Sequence, residues 1–183
     1  MLKDEIKKKK PFESPSEEAY LNLLRTTTVL AADFERLFKD AGLSEPQYNV
    51  LRILRGAGAG GGADGMGLPC LEIAARMITR VPDITRLVDR LEAAGLVTRA
   101  RISEDRRVVL VRITKKGLDA LAALDAPLVE VHKRQMGHMT RPELEELSRL
   151  LVKARQAEDA QPATCDGRGR GSHNSESMNP TRR

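Results

Sequence analysis

Residues 68–117 read LPCLEIAARMITRVPDITRLVDRLEAAGLVTRARISEDRRVVLVRITKKG, and the fold is decided there. Ile84, Leu87, Val88 and Leu91 recur at the spacing of one helical face. The opposite face carries Asp83, Thr85, Arg86, Asp89 and Arg90. Pro82 suits the first position of this helix, and Gly95 suits its end. Ahead of it, residues 69–77 read as a shorter helix that offers Leu71, Ile73, Ala74 and Met77 to a core, with Thr79, Arg80 and Val81 as the turn. Behind it, residues 97–102 and 108–113 are β-branched runs, joined by the turn-like Ser103, Glu104, Asp105 and Arg106. In the second run Val109, Val111 and Ile113 have the opposite parity to Val108, Leu110 and Arg112. Helix, turn, helix and basic hairpin form the order of a winged helix-turn-helix, which presents a helix to a duplex groove.

The flanks read as a helical frame. Ser14, Pro15 and Glu17 make a helix start, with a capping serine, proline at the first position and an acid three residues after the cap. A stripe follows at Tyr20, Leu23, Leu24, Thr27, Leu30, Ala31, Phe34, Leu37 and Phe38, and Gly42 stops it. So long a stripe needs a partner, either the C-terminal helices or a second chain. Ser44 and Gln47 open another helix through Tyr48, Val50, Leu51, Ile53 and Leu54. The glycine-rich stretch 56–67 is expected to break it as a flexible linker. A phosphate-cradling loop would need Lys-Ser/Thr after it and a strand before it. Thr114 caps a helix through Leu118, Leu121, Leu124, Leu128 and Val131, expected to bend near Pro127. Thr140 to Glu143 cap a last helix with Leu144, Leu147, Leu150 and Leu151. Beyond residue 160 the chain is polar and rich in Gly, Ser and Arg, which predicts disorder.

Charge singles out the same segment. The whole chain carries a formal net charge of +5. Residues 68–116 hold eleven Lys and Arg against six Asp and Glu, so the excess is concentrated there. Residues 126–159 are balanced, and residues 11–43 are acidic. A basic middle suits a polyanionic partner. Aromatic content of 3%, without Trp, weighs against stacking platforms for single-stranded nucleic acid. Two cysteines, Cys70 and Cys165, are too few for a disulfide framework or a zinc site. His132 and His138 have no acidic partner at ligand spacing, so neither metal nor cofactor is expected. There is no nucleophile–base constellation, so no enzyme is expected. No apolar run reaches the length of a membrane span, and the basic N-terminus lacks the apolar core of a secretory signal. The cytoplasm is the expected compartment.

Contacts follow from chemistry. The N-terminal half of a recognition helix meets base edges, which points to Thr85 and Arg86. Arg bonds guanine O6 and N7 together, and the Thr methyl packs on a thymine methyl. Arg90 lies farther along and suits phosphate. Thr79 and Arg80, beside the helix N-terminus, also suit phosphate. Asp83 either caps its own helix or accepts from cytosine N4, and the cap is favoured. Arg106 and Arg107 at the hairpin tip suit a narrow A·T minor groove, with Asp105 bracing the tip. Lys7 to Lys10 either attract phosphate without specificity or are a solvated terminus. Cys70 is either a small buried residue or, at a helix start, an activated thiol.

This arrangement resembles the MarR family of bacterial transcription regulators. The resemblance is carried by ITRLVDRLEAAGLVTR and the wing SEDRRVVLVRITKKG. It is strong over residues 68–117 and rests on helix order over the rest of residues 17–158. Arg107 matches the second Arg of the family's Asp-Arg-Arg wing tip. Two features depart from the pattern: the longer glycine-rich loop 56–67, and Pro82 with Asp83 at the start of the recognition helix. The family's sensor cysteines commonly lie in the first helix, which here has none.

The resemblance implies a mostly α fold with a small β-wing, a winged helix-turn-helix plus N- and C-terminal dimerisation helices. It implies a homodimer on a pseudo-palindromic double-stranded DNA operator, a repressor released by a small effector. The corresponding organisation is a basic disordered N-terminus (1–13), an N-terminal dimerisation helix (14–43), a DNA-binding domain (44–116), C-terminal dimerisation helices (117–159) and a disordered tail (160–183). Arg25, Tyr48 and His132 are expected to border the effector pocket. Two alternatives stay open: a winged-helix module acting on an acidic protein partner, and a thiol-based redox regulator working through Cys70.

Overall fold

The computed structural model describes residues 1–59, 67–101 and 109–156. The chain divides into two units, residues 1–138 and residues 139–183. The first unit starts with a one-turn helix, α1 (Leu2–Glu5). In residues 1–13, expected from the sequence as a disordered terminus, Leu2 is buried, Lys8 sits over the Phe12 ring and pairs with Glu17, and the Glu13 N–H donates to Glu17.

The long helix α2 (Pro15–Asp40) begins as its sequence dictates, with the Ser14 hydroxyl accepting from the Glu17 N–H at 3.1 Å. It ends in a Schellman turn: Gly42 has φ +70°, its N–H donates to the Lys39 carbonyl, and the Leu43 N–H donates to that of Phe38. Helix α3 (Glu45–Ala59) opens on a reciprocal cap, Ser44 N–H to Gln47 Oε1 and Gln47 N–H to Ser44 Oγ. It runs on through Gly56 and Gly58, which were expected to begin a loop. Each glycine costs a helix about 1 kcal/mol relative to alanine. Val50, Leu51, Ile53 and Leu54 are buried and anchor the turns before them. The middle of the glycine-rich stretch, 60–66, lies outside the described residues.

Pro69 does not start a helix. Strand β1 (Leu68–Pro69) pairs antiparallel with β3 (Val109–Ile113), Leu68 opposite Val111. Helix α4 (Cys70–Ala75) follows, shorter than expected, and only Ile73 of it is buried. Leu71 was expected in the core, yet it is 82% exposed, because a six-residue helix covers the core with one narrow face. Helix α5 (Ile84–Ala93) starts two residues after Pro82, so Pro82 precedes the cap instead of opening the helix. Strand β2 (Val97–Arg101) pairs with the other side of β3, Arg99 opposite Val111, giving the order β1-β3-β2. As the central strand, β3 buries neighbours of both parities, Leu110 and Val111.

Helix α6 (Lys115–Met136) passes through Pro127 unbroken. It buries Leu121, Leu124, Leu128 and Val131, and the first three share one core with Phe38 of α2, Leu51 of α3, Ile73, Leu91 and Val111. The winged-helix segment therefore shares its core with α2 and α6. Ion pairs add register: Arg55 of α3 is bidentate to Asp125 of α6 at 2.9–3.0 Å. Asp33 of α2 accepts from Arg134 at 2.9 Å and Gln135 at 3.2 Å. These bonds, Arg134 first and Gln135 second, hold the Asp33 carboxyl below its ordinary pKa. The second unit contributes α7 (Arg141–Arg155), opened by a Thr140–Glu143 capping box. Its stripe of Leu144, Leu147, Leu150 and Leu151 has no buried member.

Candidate nucleic-acid interface

The exposed face of α5 is the candidate reading surface, and local bonds explain its position. Asp83 has an extended φ of −139°, and its Oδ1 accepts from the Arg86 N–H at 2.9 Å. That is an N-cap, so Asp83 is engaged with its own helix. Leu87, Val88 and Leu91 are buried and Ile84 is half-buried against the core, as their spacing predicts. Thr85, Arg86, Asp89 and Arg90 are exposed. Among the described residues, Arg86 and Arg90 have no acidic partner.

The far end of α5 closes on a Schellman turn. Gly95 has φ +71°, the Gly95 N–H donates to the Glu92 carbonyl and the Leu96 N–H to that of Leu91. The first turn of α6 grips this end. The Thr114 N–H donates to the Leu96 carbonyl at 3.0 Å, the Thr114 hydroxyl accepts from the Gly117 N–H at 3.1 Å, and Lys116 Nζ donates to the Ala94 carbonyl at 2.8 Å. Gly117 allows the approach, since a Cβ there would collide with the Leu96 carbonyl.

Sequence reasoning missed Arg99 on β2. Its Nη1 lies 2.6 Å from Asp89 Oδ1 and 2.8 Å from Glu92 Oε2, and its Nη2 donates to the Thr85 carbonyl at 3.3 Å. Its backbone N–H donates to Glu92 Oε1 at 3.1 Å. Burial pulls the guanidinium pKa down, but bonds and charge from Asp89, then Glu92, hold it above its ordinary value. The sequence signal was there: two acids three residues apart on α5, and an Arg seven residues after the second.

Thr79 and Arg80 are exposed in the segment leading into α5. Asp105, Arg106 and Arg107 lie outside the described residues, as does Cys165. Cys70 is a half-buried free thiol packed against the core. Among the described residues no group of His, Cys, Asp and Glu could hold a metal, and no helix is long and apolar enough to cross a membrane.

Behind the helix-turn-helix lies a cavity of about 360 Å³ between α2, α3 and α6. Tyr48 and His132 line it. Arg25 does not: it lies 4.0 Å from Glu5. Arg25 precedes Ala31, the first lining residue of α2, by six positions, or about 9 Å along the helix. Phe34, Phe38, Asn49, Arg52 and Ile78 also line it, with Tyr48 stacked on Phe38 at 4.6 Å and His132 against Phe34 at 5.1 Å. The i, i+4 spacing of Phe34 and Phe38 was legible as one face of α2, but its opening onto a void was not.

A capped recognition helix backed by a three-stranded wing sheet defines a DNA-binding regulator of the winged-helix class. The MarR family's sequence profile matches residues 43–109. The chain is 44% identical to a MarR transcription factor from Planctomyces limnophilus, whose crystal structure it matches with a TM-score of 0.58 over 78% of this chain and 98% of the other. The chain belongs to the MarR family. It is 32% identical over 119 residues to the HTH-type transcriptional repressor IacR of Pseudomonas putida, covering 65% of this chain and 66% of that one. It shares its fold with Sco3205, a MarR family regulator of Streptomyces coelicolor solved in complex with DNA, at 22% identity and a TM-score of 0.67 over 87% of this chain and 96% of the other.

Proposed function

We propose that the protein is a homodimeric, sequence-specific repressor that binds a pseudo-palindromic duplex and releases it when a small effector fills the cavity behind the recognition helix. The observation that carries this reading is the exposed face of α5, where Arg86 and Arg90 have no acidic partner among the described residues while Asp83 is consumed by the cap. Arg86, with Thr85, meets base edges, and Arg90, Thr79 and Arg80 meet phosphate. Arg106 and Arg107 enter the minor groove, and Asp105 braces them. The IacR repressor of P. putida and the DNA complex of Sco3205 support duplex binding as the activity.

Exposed apolar residues support the dimer. Tyr20, Leu23, Leu24 and Val29 of α2 are 46–64% exposed, as are Leu150 and Val152 of α7 at 46–48%. Such surface is uncommon on a monomer unless a partner covers it. The cavity supports the effector: its volume falls in the range of small-molecule sites, with aromatic walls and a few polar groups in Glu45, Tyr48, Asn49, Arg52 and His132. Ile78 lies in that wall one residue before Thr79, so a ligand there pushes on the approach to α5. The protein works in the cytoplasm by binding, without catalysis.

The test is selection of duplexes from a randomised pool by the purified protein, repeated at rising salt. Recovery of a palindrome, with affinity falling linearly in log salt, supports the reading. Failure to retain any duplex in dilute buffer overturns it. Retention of an acidic protein partner without that salt dependence would favour the protein-interaction alternative instead.

A further inference from the structure

We propose that Arg99 is a positioning residue that sorts the charges of the recognition helix: it takes up both carboxylates of α5, Asp89 and Glu92, and thereby keeps Arg86 and Arg90 free for the duplex. The inference rests on the DNA-binding reading given above.

Helix α5 carries two arginines and two acids after its cap, so by itself it is close to neutral. Asp89 lies three residues after Arg86, the spacing at which a helix pairs opposite charges. Left alone, Asp89 would draw Arg86 into an ion pair along the helix and set a negative charge against the phosphates. The structure shows the other arrangement. Asp89 is 2.6 Å and Glu92 2.8 Å from one guanidinium nitrogen of Arg99, whose side chain is only 23% exposed. Arg86 and Arg90 are left without an acidic partner among the described residues.

A strand is the right place for such a group. Arg99 sits in a ladder with Val111 opposite, so its Cα is fixed by the sheet. β2 is an edge strand, and Glu92 also takes the Arg99 backbone N–H. The bond from Nη2 to the Thr85 carbonyl brings the same guanidinium to the first turn of α5, where Arg86 leaves the helix. A lysine has one ammonium and cannot span these three acceptors in the same way.

The experiment measures affinity and salt slope on a duplex recovered from a randomised pool by the wild-type protein, with a mixed-sequence duplex of equal length as reference. Thermal unfolding of each variant is recorded in parallel. Arg99→Gln is expected to bind the recovered duplex about tenfold more weakly or worse, the loss of one good base contact. Its slope of log affinity against log salt should be shallower by about one phosphate contact. The triple variant Arg99→Gln, Asp89→Asn, Glu92→Gln is expected to recover most of that affinity, although the clamp is still absent. With Arg99 intact, Asp89→Asn plus Glu92→Gln is expected to bind both duplexes at least as tightly as wild type.

A mere brace predicts the reverse: the triple variant stays as weak as Arg99→Gln, and the double variant loses affinity. Either result overturns the proposal, as does wild-type affinity in a folded Arg99→Gln. If Arg99→Gln does not fold, the double variant decides by the same criterion, and Arg99→Lys is expected to fall between wild type and loss. If the wild-type protein recovers no duplex at all, the DNA-binding reading itself fails, which is distinguishable from failure of the role of Arg99.

Discussion

The hydroxyl of Thr114 lies 2.8 Å from the carbonyl oxygen of Gly95, and that contact joins the last turn of the recognition helix to the first turn of α6. The Thr114 hydroxyl oxygen also accepts from the Gly117 N–H, so one side chain caps α6 and holds α5. Whatever moves α6 is thus felt at the base of the recognition helix. Replacing Thr114 by Ala removes both roles and is expected to cost about 1 kcal/mol or somewhat more, as for other N-caps. Thermal unfolding reads the loss. Gly117→Ala should be worse, because its Cβ meets the Leu96 carbonyl, a backbone atom that cannot swing away. An unchanged Tm in Gly117→Ala would contradict the close approach.

Arg86 and Arg90 should differ in kind. Arg86→Ala is expected to cost about 1–3 kcal/mol on the recovered duplex and to relax the preference for particular bases. Arg90→Ala should weaken all duplexes alike and lower the salt slope by about one. Fluorescence anisotropy on matched and mismatched duplexes separates the two. Identical behaviour of the two variants would refute the division of labour.

The ion pair between Asp33 and Arg134 makes a prediction about acid. The Asp33 carboxyl has a folded pKa below its ordinary value, because Arg134 and then Gln135 hydrogen bond to it. Such a group stabilises the fold above its unfolded pKa of about 4 and loses that contribution as pH falls through the lower folded value. Asp33→Asn is therefore expected to lower Tm at neutral pH. The gap to wild type should close on acidification below about pH 4. The pair is exposed to solvent, so added salt should also narrow the gap. A gap that widens in acid would show that the sign is wrong.

The uncovered part of α2 predicts assembly. Leu24→Glu places a charge on a surface that is 52% exposed in the single chain. The variant should keep its helical content and sediment as a monomer where the wild type sediments as a dimer. It should also lose duplex affinity, since two half-sites are no longer bridged. A wild-type protein that sediments as a monomer would remove the basis of the prediction.

The cavity predicts a ligand-dependent response. Phe34→Ala removes part of the aromatic wall and widens the cavity without touching α5, and is expected to change the release of duplex by small aromatic compounds more than the affinity of the free protein. Titration of the duplex complex with a panel of such compounds reads this. Equal responses in both proteins would place the effector elsewhere.

Much of the fold was legible because local signals and periodicity agree. The caps at Ser14, Ser44, Thr114 and Thr140 all stand where short-range spacing put them, since a cap is settled within four residues. The inward face of α5 was legible for the same reason. What failed needed distant partners. Pro69 is a strand residue because Leu110 lies opposite it, some forty residues on. Gly56 and Gly58 stay helical because the buried turns before them carry the ladder forward. Arg25, expected beside Tyr48 and His132, lies near Glu5, six positions along α2 before the first residue that lines the cavity.

The amino-acid order by itself determined the winged-helix succession, the basic recognition segment and the helix boundaries that rest on caps, because these depend on neighbours within a turn or two. Only the tertiary structure decided which charges of α5 are paired among the described residues. Either acid of α5 could pair with an arginine of the same helix until folding brings β2 and Arg99 beside Asp89 and Glu92. The cavity between α2, α3 and α6 likewise exists only because distant helices pack imperfectly at one place, and no local pattern encodes a gap.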